Sequence, residues 1–439
     1  MLLPRYRPPF RPWQILIALF CIQLSWITYW GITNQTLVKG GEEAFLSWDW
    51  KNYRDFGLHF KAVCLTGSFP RGERLDPSPP SPPVFNHIGA FWWPPLLPAW
   101  LALVHTLGVP SEALPWTVAL WTATTAPLMF LLLRMKFGLK ASFLTALVTA
   151  LYPGFLLRSF QMSECFSLPL LLLFFRSFLS NARPLRTGWL GGLCTLARFP
   201  NGVLALLLIP GLFRKESRRS AVLSLGVMAL VLLPWMTRNK ILLDRFTLSV
   251  NGPYLLYASN HPVIWDRPPG LTAYGSEGRG TFLSFPIVFS PQCFPDKKDL
   301  LGPDANPRNP EDILEILAVK PVTELTDLFQ RQFIEALSAR PWDGLAEIPW
   351  KFRRLMHWHL QNLPDEPFWF IPLAWILQGA IWGLIVAPSP WRRHLFLFML
   401  TQVAVAALFY GNDRFRTGLD LALLVALGSI LNRIEARKG

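Results

Sequence analysis

Apolar residues collect into ten blocks along this chain, near residues 13–32, 94–109, 114–133, 140–157, 164–180, 188–213, 220–236, 367–387, 395–410 and 416–432. Most approach the roughly 20 residues an α-helix needs to cross a bilayer. The pattern predicts an all-α polytopic membrane protein with about 8–10 transmembrane segments. Two intervening stretches are too long to be turns. Residues 34–93 are polar and then proline-rich over Asp76–Pro83, which predicts extended or irregular chain. Residues 237–366 form the one large hydrophilic region. Its first half is rich in Asn, Pro and Gly. Its second half, from Glu311 to about His359, has helical periodicity broken at Pro321 and Pro341. No internal repeat is evident.

Composition supports the same class. Of 439 residues, 51% are hydrophobic and only 16% charged, against about 25% charged in soluble domains. That excludes a soluble globular enzyme, a disulfide-rich secreted module and a disordered chain. The net charge of +14 reads as Lys and Arg gathered in cytoplasmic loops, and no nucleic-acid-binding motif accompanies it. No nucleic-acid partner is expected. Arg5, Arg7 and Arg11 precede the first block, which is too long for a signal peptide and lacks a cleavage site. It reads as an uncleaved helix with a cytoplasmic N-terminus.

Charge also constrains topology. Strict alternation of ten spans would place Arg134, Lys136, Lys140, Arg176, Arg183 and Arg186 outside, against the positive-inside bias. The conflict vanishes if 94–109 does not fully cross and 188–213 is re-entrant, with Arg198-Phe199-Pro200-Asn201 at its turn. Both termini are then cytoplasmic, both long stretches lie outside, and the expected location is the inner (plasma) membrane.

Several ionisable residues stand out. The first external stretch carries Trp48-Asp49-Trp50-Lys51-Asn52-Tyr53-Arg54-Asp55. In a helix Asp49 and Tyr53 share a face, and a carboxylate there could deprotonate an incoming hydroxyl or amine. The same segment also fits a solvated interfacial helix with aromatics at headgroup level. Glu164 opens an apolar helix, as a functional acid or as a charge favourable at a helix N-terminus. Arg198 lies inside an apolar block and requires an anion: Glu164, Asp49 or a ligand phosphate. Arg414 and Arg416 precede the last block on the external side, facing an anionic headgroup or pairing locally with Asp413. The seven His and five Cys residues form no metal motif, and there is no nucleotide-binding motif. Cys64 and Cys293, both outside the apolar blocks, are expected either to pair or to remain two thiols.

Taken in order, these segments resemble membrane glycosyltransferases of the GT-C fold, in particular bacterial proteins akin to protein O-mannosyltransferases and lipid A aminoarabinose transferases. The resemblance rests on Asp49-x-x-x-Tyr53 after the first helix, Trp93-Pro94-Pro95-Leu96-Leu97-Pro98, Ser163-Glu164 and Leu196-Ala197-Arg198-Phe199-Pro200. It continues through Leu233-Pro234-Trp235-Met236-Thr237-Arg238-Asn239, Asn251-Gly252-Pro253-Tyr254, Asn260-His261-Pro262 and Asp413-Arg414-Phe415-Arg416. It covers most of the chain, most thinly 263–340. It implies an inverting glycosyltransferase moving a sugar from a polyprenyl-phosphate donor to an extracytoplasmic glycan, lipid or protein acceptor in the cell envelope. Asp49 would be the catalytic residue, as base or as the positioning carboxylate, with Tyr53, Asp55, Glu164, Arg198, Arg414 and Arg416 binding substrate. Many such proteins carry an acidic pair where this chain has Asp49-Trp50, and Asp55 lies six residues on. No cofactor is firmly implied, and a divalent metal has no ligand cluster behind it.

By this resemblance the chain divides into a membrane catalytic module (1–236), an extracytoplasmic region (237–366) and C-terminal transmembrane helices (367–439). A transporter or flippase of lipid-linked sugars is the competing class, which would favour matching broken helices in two halves. A membrane assembly protein without catalysis is the third.

Overall fold

The structure, a computed structural model, describes residues 11–38, 48–66, 93–152, 155, 163–180, 183–266, 322–356, 380–409 and 417–438. The described chain is built from helices and contains no strand. Among the described residues, five segments are long and apolar enough to cross a bilayer: Pro12–Tyr29, Ser111–Leu133, Ser163–Ser180, Lys215–Leu243 and Thr417–Arg437. The chain is thus the all-α polytopic membrane protein its hydropathy predicts.

The helices are α1 (Pro12–Val38), α2 (Trp48–Leu58), α3 (Phe60–Thr66), α4 (Leu96–Thr106), α5 (Leu114–Thr122), α6 (Thr125–Leu133) and α7 (Leu139–Leu151). Then come α8 (Ser163–Ser180), α9 (Pro184–Ala197), α10 (Leu204–Leu212) and α11 (Lys215–Leu243). The polar region contributes α12 (Asn251–Ser259), α13 (Pro262–Trp265), α14 (Val322–Ala339), α15 (Pro341–Ala346) and α16 (Ile348–Met356). The last described elements are α17 (Gly383–Val386), α18 (Ser389–Leu408) and α19 (Thr417–Lys438).

Local sequence explains the breaks. The 114–133 block divides at Ala123–Thr124 because Pro127 has no N–H to offer the Ala123 carbonyl. The Ala126 N–H, in the first turn of α6, donates instead to Gln23 Oε1 of α1 at 2.8 Å. Helix α7 stops at Leu151, since Pro153 forces Tyr152 into an extended conformation (ψ 117°). Helices α8 and α19 form the centre, and residues 163–172 and 417–429 are buried throughout. Their close neighbours are small. A Cβ on Gly383 would meet the Ala426 carbonyl oxygen at 2.0 Å, so the chain at α17 lies directly against the α19 backbone.

The block 188–213 is a hairpin. Helix α9 has 14 residues and α10 has nine, about 21 and 14 Å, each short of a hydrocarbon core of about 30 Å. A tight turn over Phe199–Val203 joins them. Gly188 and Gly192, on one face of α9, let it sit against α11, where added Cβ atoms would meet Ser224 O at 2.2 Å and Val231 Cβ at 2.6 Å. Gly211, at the far end of α10, faces Ala221 of α11. The hairpin therefore starts and finishes at the same level, as the charge argument requires. Helix α4, with 11 residues, is likewise too short to cross.

The basic segments converge on one end of the bundle. Asn432 and Glu435 of α19 accept from the Gly138 and Ala141 N–H groups at 2.7 and 2.9 Å, capping α7 beside Arg134–Lys140. Met135 shares a cavity with Arg176, Arg183 and Arg186, and Arg214 shares another with Arg393.

Candidate functional site

The opposite end of the bundle holds the hairpin tip. Arg198 ends α9 in an extended conformation (φ −158°, ψ 113°), and its N–H bonds the Cys194 carbonyl at 3.0 Å. Asn201 Nδ2 donates to the same carbonyl at 3.1 Å and pins the turn. Arg198 Nη2 lies 3.6 Å from Glu164 Oε1, with both side chains only about 5–6% exposed. Among the described side chains, Glu164 is an anion beside Arg198. Glu164 also occupies the first turn of α8, where the helix dipole favours a carboxylate. Ser163 Oγ donates to Glu164 Oε2 at 3.3 Å.

A second buried acid lies at this end. Asp420, in the first turn of α19, accepts from the Tyr152 hydroxyl at 2.6 Å, and both residues are buried. The Tyr152 ring meets Phe155 edge-on at 4.8 Å, and Cys165 Sγ donates to the Phe155 carbonyl at 3.4 Å. Cys165 follows Glu164 in α8, so Asp420–Tyr152 and Glu164–Arg198 lie at the same end of the bundle. Sequence reading passed over Asp420, although an acid three residues into an apolar span carries the same signal that marked Glu164.

Helix α2 packs on α4. The helix expected over 48–55 forms, placing Asp49 in its first turn and Tyr53 one turn later on the same face. The Asp49 side chain is not among those described. Tyr53 is buried and packs on Trp93 at 5.0 Å, in the core rather than in an open cleft. Asp55 is half-buried and paired with Arg54, Nη2 to Oδ1 3.1 Å. Helix α2 is seated on α4 through Gly57, where a Cβ would meet Leu101 Cβ at 2.7 Å.

Arg238, near the end of α11, fastens this unit. Its Nη2 donates to the Val63 carbonyl at 2.7 Å and its Nε to the Cys64 carbonyl at 3.4 Å, a cation on the C-terminal carbonyls of α3. The guanidinium lies 4.6 Å above the Trp235 ring, which in turn meets Phe56 of α2. Cys64 is a free thiol, its pKa raised by burial with Arg238 pulling the other way. Cys293 lies outside the described residues, as do Arg414 and Arg416.

Lys351 was missed in sequence. It sits fully buried on α16, its Nζ donating to Asn260 Oδ1 at 2.6 Å and to the Ala407 carbonyl at 3.1 Å. Asn260 Nδ2 donates to the Leu408 carbonyl at 3.0 Å. Together they cap the C-terminus of α18 and dock the polar helices onto it. Burial pushes the Lys351 amine down to about 8, with Glu347 opposing the shift.

Chemically, this end combines two buried cations, Arg198 and Lys351, three buried acids, Glu164, Glu347 and Asp420, and a helix bearing carboxylates. Among the described residues no three His, Cys, Asp or Glu side chains group to hold a metal ion. No family model matches the chain, and no curated protein does so. Solved structures similar to it include the oligosaccharyltransferase of Archaeoglobus fulgidus in its apo form, at 13% identity and a TM-score of 0.49, covering 98% of this chain and 51% of that one. The same enzyme tethered to an acceptor peptide gives 13% identity and a TM-score of 0.47, covering 98% and 50%. Its complex with an inhibitory peptide and a dolichol-phosphate gives 13% and 0.44, covering 97% and 50%. The chain spans about half the length of these structures.

Proposed function

We propose that the protein is an inverting glycosyltransferase that moves a sugar from a polyprenyl-phosphate donor to an extracytoplasmic acceptor. The observation that carries this reading is the buried Arg198–Glu164 pair at the tip of a re-entrant hairpin, at the end of the bundle remote from the basic loops. An arginine at such depth belongs where protein or a wet cavity receives an anion. A lipid-phosphate sugar brings the anion, and its prenyl chain can lie along the apolar helices.

In this mechanism Asp49 takes the proton of the acceptor hydroxyl or amine. The freed lone pair attacks the anomeric carbon while the bond from that carbon to the phosphate oxygen breaks. Polyprenyl phosphate leaves with the bonding electrons, and the anomeric configuration inverts. Arg198, Arg414 and Arg416 stabilise the charge growing on the phosphate. Tyr53 positions α2, and Asp55 is the reserve carboxylate. The gathering of basic loops at one end supports cytoplasmic termini and transfer on the outer face of the inner membrane.

Mass spectrometry of lipids and glycans in a strain lacking the protein tests the reading. A polyprenyl-phosphate sugar should accumulate while one glycosyl substituent disappears from an envelope acceptor. Unchanged profiles of both would refute it.

A further inference from the structure

The basic end of the bundle contains a cavity of about 420 Å³ that the transfer chemistry does not use. It lies between the base of the α9–α10 hairpin and the first turns of α11 and α18. Pro184 and Thr187 line it from the start of α9, so the 14 residues of that helix separate it from Arg198 by about 20 Å. Its rim carries Arg214 and Arg393, its hydroxyls include Ser220, and its wall is apolar, with Leu207 and Leu397.

Both arginines are exposed, and neither has an acidic partner among the described residues. Two other cations at this end are turned to structural use. Arg134 Nη1 donates to the Phe137 carbonyl at 2.7 Å, and Arg392 Nη1 to the Ile385 carbonyl at 3.3 Å. Arg214 also forms the N-cap of the 29-residue α11, and Ser217 of its first turn lines the cavity, so the positive end of that helix opens onto it. A free anion would use the cations and leave the leucine wall bare. A phosphate with an alkyl chain fills both parts.

We infer that the cavity between Arg214, Arg393 and the base of the hairpin binds the phosphate headgroup of an anionic lipid, with its chain along Leu207 and Leu397. This site is separate from the proposed transfer site and stands whether or not the protein is a transferase. It would hold the hairpin base against α11 and α18 through a lipid.

The test uses the full chain in a neutral detergent, titrated with micellar dioleoyl phosphatidic acid, the bound lipid being counted by native mass spectrometry. The wild type should retain the lipid, and R214Q/R393Q should lower its retention at least tenfold. R218Q/R219Q removes the same charge from exposed positions that do not line the cavity, and should leave retention unchanged. Millimolar inorganic phosphate should not compete. No retention by the wild type, or equal losses in both double variants, would overturn the site. Full competition by inorganic phosphate would show a free-anion site and overturn the lipid assignment. The substituted side chains are exposed, so folding is expected to persist, and unchanged melting of both variants verifies it.

Discussion

Breaking the Arg198–Glu164 pair offers the sharpest separation of structural from ligand-binding roles. At 3.6 Å and an effective dielectric constant of about 20, the two charges attract by about 4–5 kcal/mol. Both side chains are nearly excluded from solvent, so removing one takes this counter-charge from the other. Arg198→Ala or Glu164→Gln alone should each cost about 3–5 kcal/mol. The double substitution Glu164→Gln/Arg198→Met removes both charges of the pair and fills the space, so it should recover most of the summed loss. Thermal melting in detergent reads this directly: each single variant should melt several degrees below the wild type, and the double variant above both. A double variant that melts at the sum of the two losses would refute the coupling. Transfer then decides the second role. If Arg198 also receives the donor phosphate, the double variant melts near the wild type yet transfers poorly. Recovery of both properties would remove Arg198 from the donor site.

Two further outcomes follow from named residues. The Lys351 amine, at about 8 in the fold, meets an unfolded value of about 10.5, so between those values the unfolded chain binds more protons. The cost of burying the charge is complete below about pH 8 and is relieved as pH rises. The wild type should thus gain on Lys351→Met by up to about 1.4 kcal/mol per pH unit between pH 8 and 10, and a gap constant with pH would contradict the placement. For topology, a reporter active only in the cytoplasm should stay silent when fused at Leu300, and a signal would reverse the assigned orientation.

Charge and hydropathy made the hairpin legible before any coordinates, because Arg176, Arg183 and Arg186 could not all lie outside. Arg198 was legible too, since an arginine in an apolar block demands an anion, though sequence left three candidates. Other features required tertiary structure. Lys351 sits among charged residues of a surface-like helix, and only its docking on the end of α18 buries it. Tyr53 shares the expected face with Asp49, but Trp93 covers it. Asp420 depends on Tyr152, 268 positions away, which no local pattern connects to it.

The account turns on Asp49, and the direct measurement is transfer by purified protein in vesicles supplied with a polyprenyl-phosphate sugar and its acceptor. Asp49→Asn keeps the size of the side chain and removes its basicity. Transfer should fall by about two orders of magnitude or more while insertion and donor binding persist. Near-normal transfer by the Asp49→Asn protein would contradict the account, and Asp55 would become the carboxylate to test.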